Sequence, residues 1–149
     1  GFVGWLWATG VICEIGIFFI MPWLMRHFSL KHILIFSFAC AILRFLLIGQ
    51  GVEWPIIIVF AQVLHAATYG AHHIAAMMVI HQFFHGRHQA KGQAIYTSIA
   101  YGLGGALGAI SSGYTWDWLG AETTFFISAA AALTGMILIA WKMKPFSHQ

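Results

Sequence analysis

The chain has 149 residues, 60% of them hydrophobic and only 7% charged, with a formal net charge of +3. A water-soluble domain carries roughly a quarter charged residues, and so short a chain cannot enclose this much apolar surface in one core. The composition therefore excludes an ordinary soluble domain and makes lipid the solvent for much of the chain; the basic residues are scattered through connections, with no basic face or arm, which excludes nucleic acid as a partner.

Five apolar stretches follow one another, at about residues 2–24, 33–49, 56–80, 93–114 and 123–141. Each is near the ~20 residues a helix needs to cross ~30 Å of hydrocarbon. Helix is the required state, because lipid offers no partner to open backbone groups. A strand barrel would show alternating segments of ~10 residues, and none occur. The fold class is all-α: a polytopic bundle of five transmembrane helices. The chain starts at Gly1 inside the first stretch, without Met or a signal-peptide pattern, and reads as a segment lacking its N-terminal portion.

The first stretch contains GVICEIGIFF, which places Glu14 about 12 residues, or ~18 Å, below its outer end. The connection RHFSLKH carries Arg26 and Lys31. In the second stretch, CAILRFLLIG sets Arg44 ~9 Å from the outer end. Cys13 and Cys40 both fall in apolar runs and read as buried free thiols. QGVEWP follows, with Glu53.

The third stretch contains VLHAATYGAHHIAAM. His65 lies ~15 Å below the outer end, in the layer of Glu14. Steps of three and four place Gln62, His65, Tyr69 and His72 on one helical face. Such a stripe is costly against lipid and predicts a cavity wall. His73, ~100° away from His72, reads as a packing or hydrogen-bonding residue.

The segment QFFHGRHQAKG carries Arg87 and Lys91, with His81, His85 and His88 at H-x3-H-x2-H spacing. A histidine-box membrane metalloenzyme, of hydroxylase or desaturase type, is the alternative this suggests, since imidazole suits iron. Those sites need several boxes; this chain has one, beside two cations that oppose metal binding. The fourth stretch holds YGLGGALGAISSG. Gly104 and Gly108 form a small-xxx-small pair that predicts close helix packing. Tyr101 can reach a cavity. Ser111 and Ser112 lie near the outer end without a nucleophile motif, against a serine protease.

TWDWLGAE holds Asp117 and Glu122, and the tail after the fifth stretch holds Lys142 and Lys144. With alternating spans, the three basic segments fall on one side and the two acidic ones on the other. The positive-inside rule then sets the C-terminal tail in the cytoplasm. Trp54, Trp116, Trp118 and Trp141 mark the interfaces. Glu14 and Arg44 are the charges left inside spans, where each costs at least ~2.5–3.5 kcal/mol, and intramembrane ionisable groups usually mark pathways.

WLWATGVICEIGIFF, AILRFLL, VLHAATYGAHHIAAM and GQAIYTSIAYGLGGALG together resemble the C-terminal half of the major facilitator superfamily. The similar branch is the 3-phenylpropionate permease type, related to the lactose permease-like proton symporters. The resemblance covers nearly the whole chain. It implies helices eight to twelve of a twelve-helix fold, in the inner membrane, with the first seven helices missing and no cofactor. The lactose permease-like pattern places a Glu, an Arg, a His and a further Glu at positions for substrate recognition and proton coupling. Glu14, Arg44 and His65 match the first three; Thr68 stands at the fourth. The resemblance implies a secondary active transporter, not an enzyme. Its partners would be protons and a small organic solute: an aromatic carboxylate, or else a sugar or nucleoside. Glu14 would carry the proton and Arg44 would tune it. His65, Tyr69, His72 and Tyr101 would meet the substrate.

Overall fold

A computed structural model describes residues 1–51 and 53–144. Val52, in the QGVEWP connection, and the tail beyond Lys144 lie outside the described residues. Among the described residues the chain forms four helical segments: α1 (Phe2–His27), α2 (Leu30–Gly51), α3 (Pro55–Phe83) and α4 (Gly86–Lys142). No strand occurs among the described residues. Each segment contains a run long and apolar enough to cross a membrane.

Four continuous segments stand where hydropathy predicts five, because helix runs through most of the TWDWLGAE connection. As one rod, the 57 residues of α4 would extend ~85 Å, nearly three hydrocarbon thicknesses. They do not form one rod. Gly120 has φ 83° and ψ 170°, a region open essentially to glycine alone, and the chain doubles back there. Thr124 Oγ1 donates to Thr115 Oγ1 at 3.1 Å, and the Trp116 and Phe125 rings lie 6.2 Å apart. Nine residues of straight helix would separate each pair by ~13 Å. The two arms, residues 86–119 and 121–142, contain the fourth and fifth apolar stretches.

Pro55 opens α3 from an extended Trp54, a position where the missing N–H costs nothing. The helix is regular to His65, widens to a π turn over Ala66–Ala71, and resumes at His72. The first arm of α4 widens in the same way over Ser98–Leu103.

Met21 of α1, Leu30, Ile33 and Leu34 of α2, and Ala71 and Ala75 of α3 form the buried core. Alanines on α3 let three backbones converge. Residues 55–71 of α3 pack against both α1 and α2. The second arm of α4 packs on α2: a Cβ at Gly135 would lie 2.7 Å from Phe38 Cε1, and one at Gly49 would lie 3.1 Å from Phe125 Cβ. Lys31 Nζ donates to the Ala140 carbonyl at 2.7 Å. Val79 and Phe83 of α3 share a hollow with Leu138 and Lys142. The three basic segments thus meet at one end of the bundle, and the Gly120 reversal sits at the other. Outside this core, Trp5, Trp7, Phe19, Ile56, Trp118 and Trp141 are largely exposed. An exterior this rich in exposed large apolar side chains marks a lipid-facing or partner-facing surface.

Candidate functional site

Glycine brings α1 and α3 together at two places. A Cβ at Gly10 would meet Gln62 Oε1 at 3.4 Å and His65 Cδ2 at 3.7 Å. A Cβ at Gly70 would lie 2.6 Å from Ile17 Cγ2. Between these approaches, Glu14 Oε1 and His65 Nε2 stand 3.0 Å apart, with 19% and 30% of their side chains exposed. The pair is therefore sheltered from solvent screening yet open to a ligand or a proton. It is the one acid–base side-chain contact of this kind among the described residues, and it is an ion pair when His65 is protonated.

From His65 a line of rings runs across α3 to α4. His65 stacks parallel to Tyr69 with centroids 5.6 Å apart, and Tyr69 stacks parallel to His73 at 6.2 Å. His73 Nδ1 and Tyr101 Oη are hydrogen-bonded at 3.0 Å. Tyr101 presents an edge to Tyr69 at 6.5 Å and to Tyr96 at 6.0 Å.

The register of this line differs from the regular-helix expectation. A π turn holds more residues per revolution than an α turn. The face that carries His65 and Tyr69 therefore returns at His73, one residue later than the His72 predicted for the stripe. His72 turns instead to α2, where its Nδ1 lies 3.2 Å from Ser37 Oγ and its ring meets Phe38 edge-on at 5.2 Å. His73 and Tyr96 are the members of the line that sequence periodicity misses. No residue type announces a π turn, although Tyr-Gly occupies the fourth and fifth places of both (Tyr69–Gly70 and Tyr101–Gly102).

Arg44 is half-buried on α2, within electrostatic reach of His65. It forms no ion pair with Glu14 among the described residues. The reason is topological: α3 is interposed between α1 and α2, and its His65 meets the carboxylate instead. Arg44 Nε and His65 Nδ1 are buried without a hydrogen-bond partner among the described residues. Thr68 Oγ1 donates to the His65 carbonyl at 3.1 Å, so its hydroxyl is tied to its own helix.

Gly104 and Gly108 do not make the close helix contact their spacing predicts. They line a hollow of about 780 Å³ between α2 and the two arms of α4, with Phe38, Phe45 and Thr115. Ser111, Ser112 and Thr115 donate to carbonyls of their own helix at 3.1–3.2 Å. The hollow is thus apolar in practice and separate from the acid–imidazole line. His81 pairs with Gln93, His85 and His88 are exposed, and no three His, Cys, Asp or Glu side chains among the described residues are placed to hold a metal.

An apolar exterior around a sheltered acid–imidazole pair defines a polytopic membrane protein with an ionisable site between its helices. Residues 1–127 match the MFS_1 like family. The chain belongs to that family, within the major facilitator superfamily of transporters. It is also 33% identical over 136 residues to the "Probable 3-phenylpropionic acid transporter" of Escherichia coli (strain K12), which covers 91% of this chain and 35% of that protein. The chain thus spans about a third of the length of the curated relative it matches. No solved structure matches it. Family membership places the chain among transporters and not among histidine-box enzymes.

Proposed function

We propose that this chain forms one wall of a proton-coupled transporter for a small aromatic carboxylate. The observation that carries the reading is the Glu14–His65 pair, which joins two helices at 3.0 Å in an otherwise apolar bundle. Leaving ions in the hydrocarbon costs at least ~2.5–3.5 kcal/mol each, and cation–anion attraction between helices offsets that cost only while both groups are charged. Proton transfer onto Glu14 removes the attraction and frees His65. Alternating access then proceeds by one bundle rocking against another around a midplane site, with helices outside this segment supplying the opposite wall.

Arg44 and a protonated His65 together offer a positive field for a carboxylate, and each has a buried nitrogen without a hydrogen-bond partner among the described residues. The rings of Tyr69 and Tyr101 offer edges and faces to an aromatic group. The relative named for 3-phenylpropionic acid has a ligand with both parts. Thr68 stands where the symporter pattern has a second Glu, so Glu14 is the one intramembrane carboxylate of this chain available to carry the proton. The side distribution of Lys and Arg supports a cytoplasmic C-terminal tail in an inner membrane. Uptake of labelled 3-phenylpropionate by the full-length transporter in liposomes, under an inward proton gradient, tests the reading. Accumulation that a protonophore collapses is expected; accumulation indifferent to the protonophore, or none, contradicts it.

A further inference from the structure

At the basic end of the bundle, the last turns of α3 and α4 stand apart around a hollow of about 690 Å³. Val79 and Phe83, one turn apart on α3, line one side, and Leu138 and Met143 line the other. Val79 and Met143 also pack against the buried core, so the floor of the hollow is held by the bundle itself. Phe83 and Leu138 are 65% and 51% exposed and leave apolar surface to be covered. Lys142 and Lys144 complete the lining, and both are exposed. Trp141, beside them at the end of the span, sets the hollow at the depth of the membrane–water interface.

The cations of this corner meet no carboxylate among the described residues. Lys31 Nζ donates to the Ala140 carbonyl at 2.7 Å. That bond satisfies a carbonyl the helix end leaves open and offsets the negative helix terminus, which would otherwise repel an anion. The Lys142 ammonium lies 4.1 Å from the centroid of the Trp141 ring, a contact that holds the charge in place. All four acidic residues lie elsewhere: Glu14 faces His65, and Glu53, Asp117 and Glu122 belong to the connections at the opposite end. Membrane sorting of Lys and Arg accounts for cations at this end. It does not call for an apolar hollow beneath two of them.

We infer that this hollow binds an anionic phospholipid, with an acyl chain against Val79, Phe83 and Leu138 and the negative headgroup between Lys142 and Lys144. The occupant must be apolar along its body, negative at one end, and able to enter from the interface. A lipid of the surrounding bilayer meets all three conditions. Lysine stems lie along apolar surface while their heads stay at the interface, which suits a chain and a headgroup bound together. A zwitterionic lipid brings the same chains without the net charge. Each lysine near the membrane surface favours an anionic headgroup by about fivefold.

The test is photo-labelling of the full-length transporter in phosphatidylcholine liposomes. A trace of phosphatidylglycerol or of phosphatidylcholine carries a diazirine in its acyl chain, and the labelled peptides are mapped by mass spectrometry. Phosphatidylglycerol is expected to label residues 79–83 and 138–143 about tenfold more than phosphatidylcholine does, while the two label the rest of the lipid-facing surface alike. Lys142→Gln with Lys144→Gln should bring that ratio close to one, and Lys142→Arg with Lys144→Arg should keep it. Arg87→Gln with Lys91→Gln changes cations of the same end that do not line the hollow, and should leave the ratio within about twofold, since distant charges are screened. Val79→Trp fills the hollow with both lysines intact and should remove the excess labelling of residues 138–143; the lysine variants keep the test available if it fails to insert. Equal labelling by the two lipids in the wild type, or a ratio that the glutamine pair does not move, overturns headgroup recognition. An equal fall in the Arg87 and Lys91 variant reduces the effect to general surface charge and overturns the site. No label in the hollow from either lipid shows that another segment covers it, and overturns the site as well.

Discussion

Glu14 of α1 and His65 of α3 meet at 3.0 Å, although α2 intervenes between them in the chain. Two features of α3 produce the contact. It inserts between α1 and α2, and glycines at positions 10 and 70 remove the side chains that would hold the backbones apart. The acid consequently pairs with an imidazole, a side chain that exists in charged and neutral forms, and not with the guanidinium of Arg44. A carboxylate held by a permanent cation resists protonation. One held by an imidazole sits in a contact whose strength changes with the protonation of either partner.

The closeness of α1 and α3 at Gly70 makes that residue a direct probe of the site. A Cβ there would lie 2.6 Å from Ile17 Cγ2, which forces the helices apart. Gly70→Ala should destabilise the protein by about 1–3 kcal/mol through overpacking and weaken uptake by lengthening the Glu14–His65 contact. Gly105→Ala, where an added Cβ meets nothing within 4 Å, should be near neutral. Thermal unfolding in detergent, with uptake in parallel, checks both.

His72 and His73 are adjacent in sequence and separate in role. His72→Ala removes the contacts to Ser37 and Phe38 and should lower stability by about 1 kcal/mol while leaving the apparent affinity for substrate within about twofold, since RT ln 2 is well under one such contact. His73→Ala should change the apparent affinity more than the unfolding midpoint. Measuring KM and unfolding temperature for both variants separates the two; a reversed pattern would restore the regular-helix register.

The reversal in α4 predicts two outcomes. Gly120→Ala places a Cβ on a backbone with φ 83° and ψ 170° and should cost about 1–3 kcal/mol. Thr115→Cys combined with Thr124→Cys should cross-link readily under mild oxidation, because the two hydroxyls are hydrogen-bonded at 3.1 Å. A straight helix would hold those positions ~13 Å apart and give no cross-link.

Much of the bundle is legible in the sequence because membrane solvation is a strong, long-range constraint. The apolar stretches, the sorting of Lys and Arg to one end, and the placing of a reversal within TWDWLGAE all follow from it. So does the reading that Glu14 and His65 share a layer, since both depths are counted along helices. The partner of Glu14 is less legible. Glu14 and Arg44 are the two charges left inside spans, but which helix lies beside which is decided by alanine and glycine packing on α3 and not by proximity in the chain. The π turns are not legible at all. They depend on a backbone choice between nearly equivalent helical geometries, and a single choice exchanges His72 for His73 on the site face. The Gly104–Gly108 spacing signals small residues, and the same signal serves a hollow as well as a contact.

The central claim is that the Glu14–His65 pair couples substrate movement to a proton. Its most direct measurement is the proton flux that accompanies substrate uptake in liposomes containing the full-length transporter, recorded with an internal pH dye in wild type and in Glu14→Gln. Glutamine keeps the shape and a hydrogen bond to His65 but cannot be protonated or bear the charge. The account predicts substrate-dependent proton entry in the wild type and its loss in Glu14→Gln, with exchange of labelled for unlabelled substrate persisting at equal pH on both sides. Substrate-dependent proton entry of wild-type size in Glu14→Gln would contradict it.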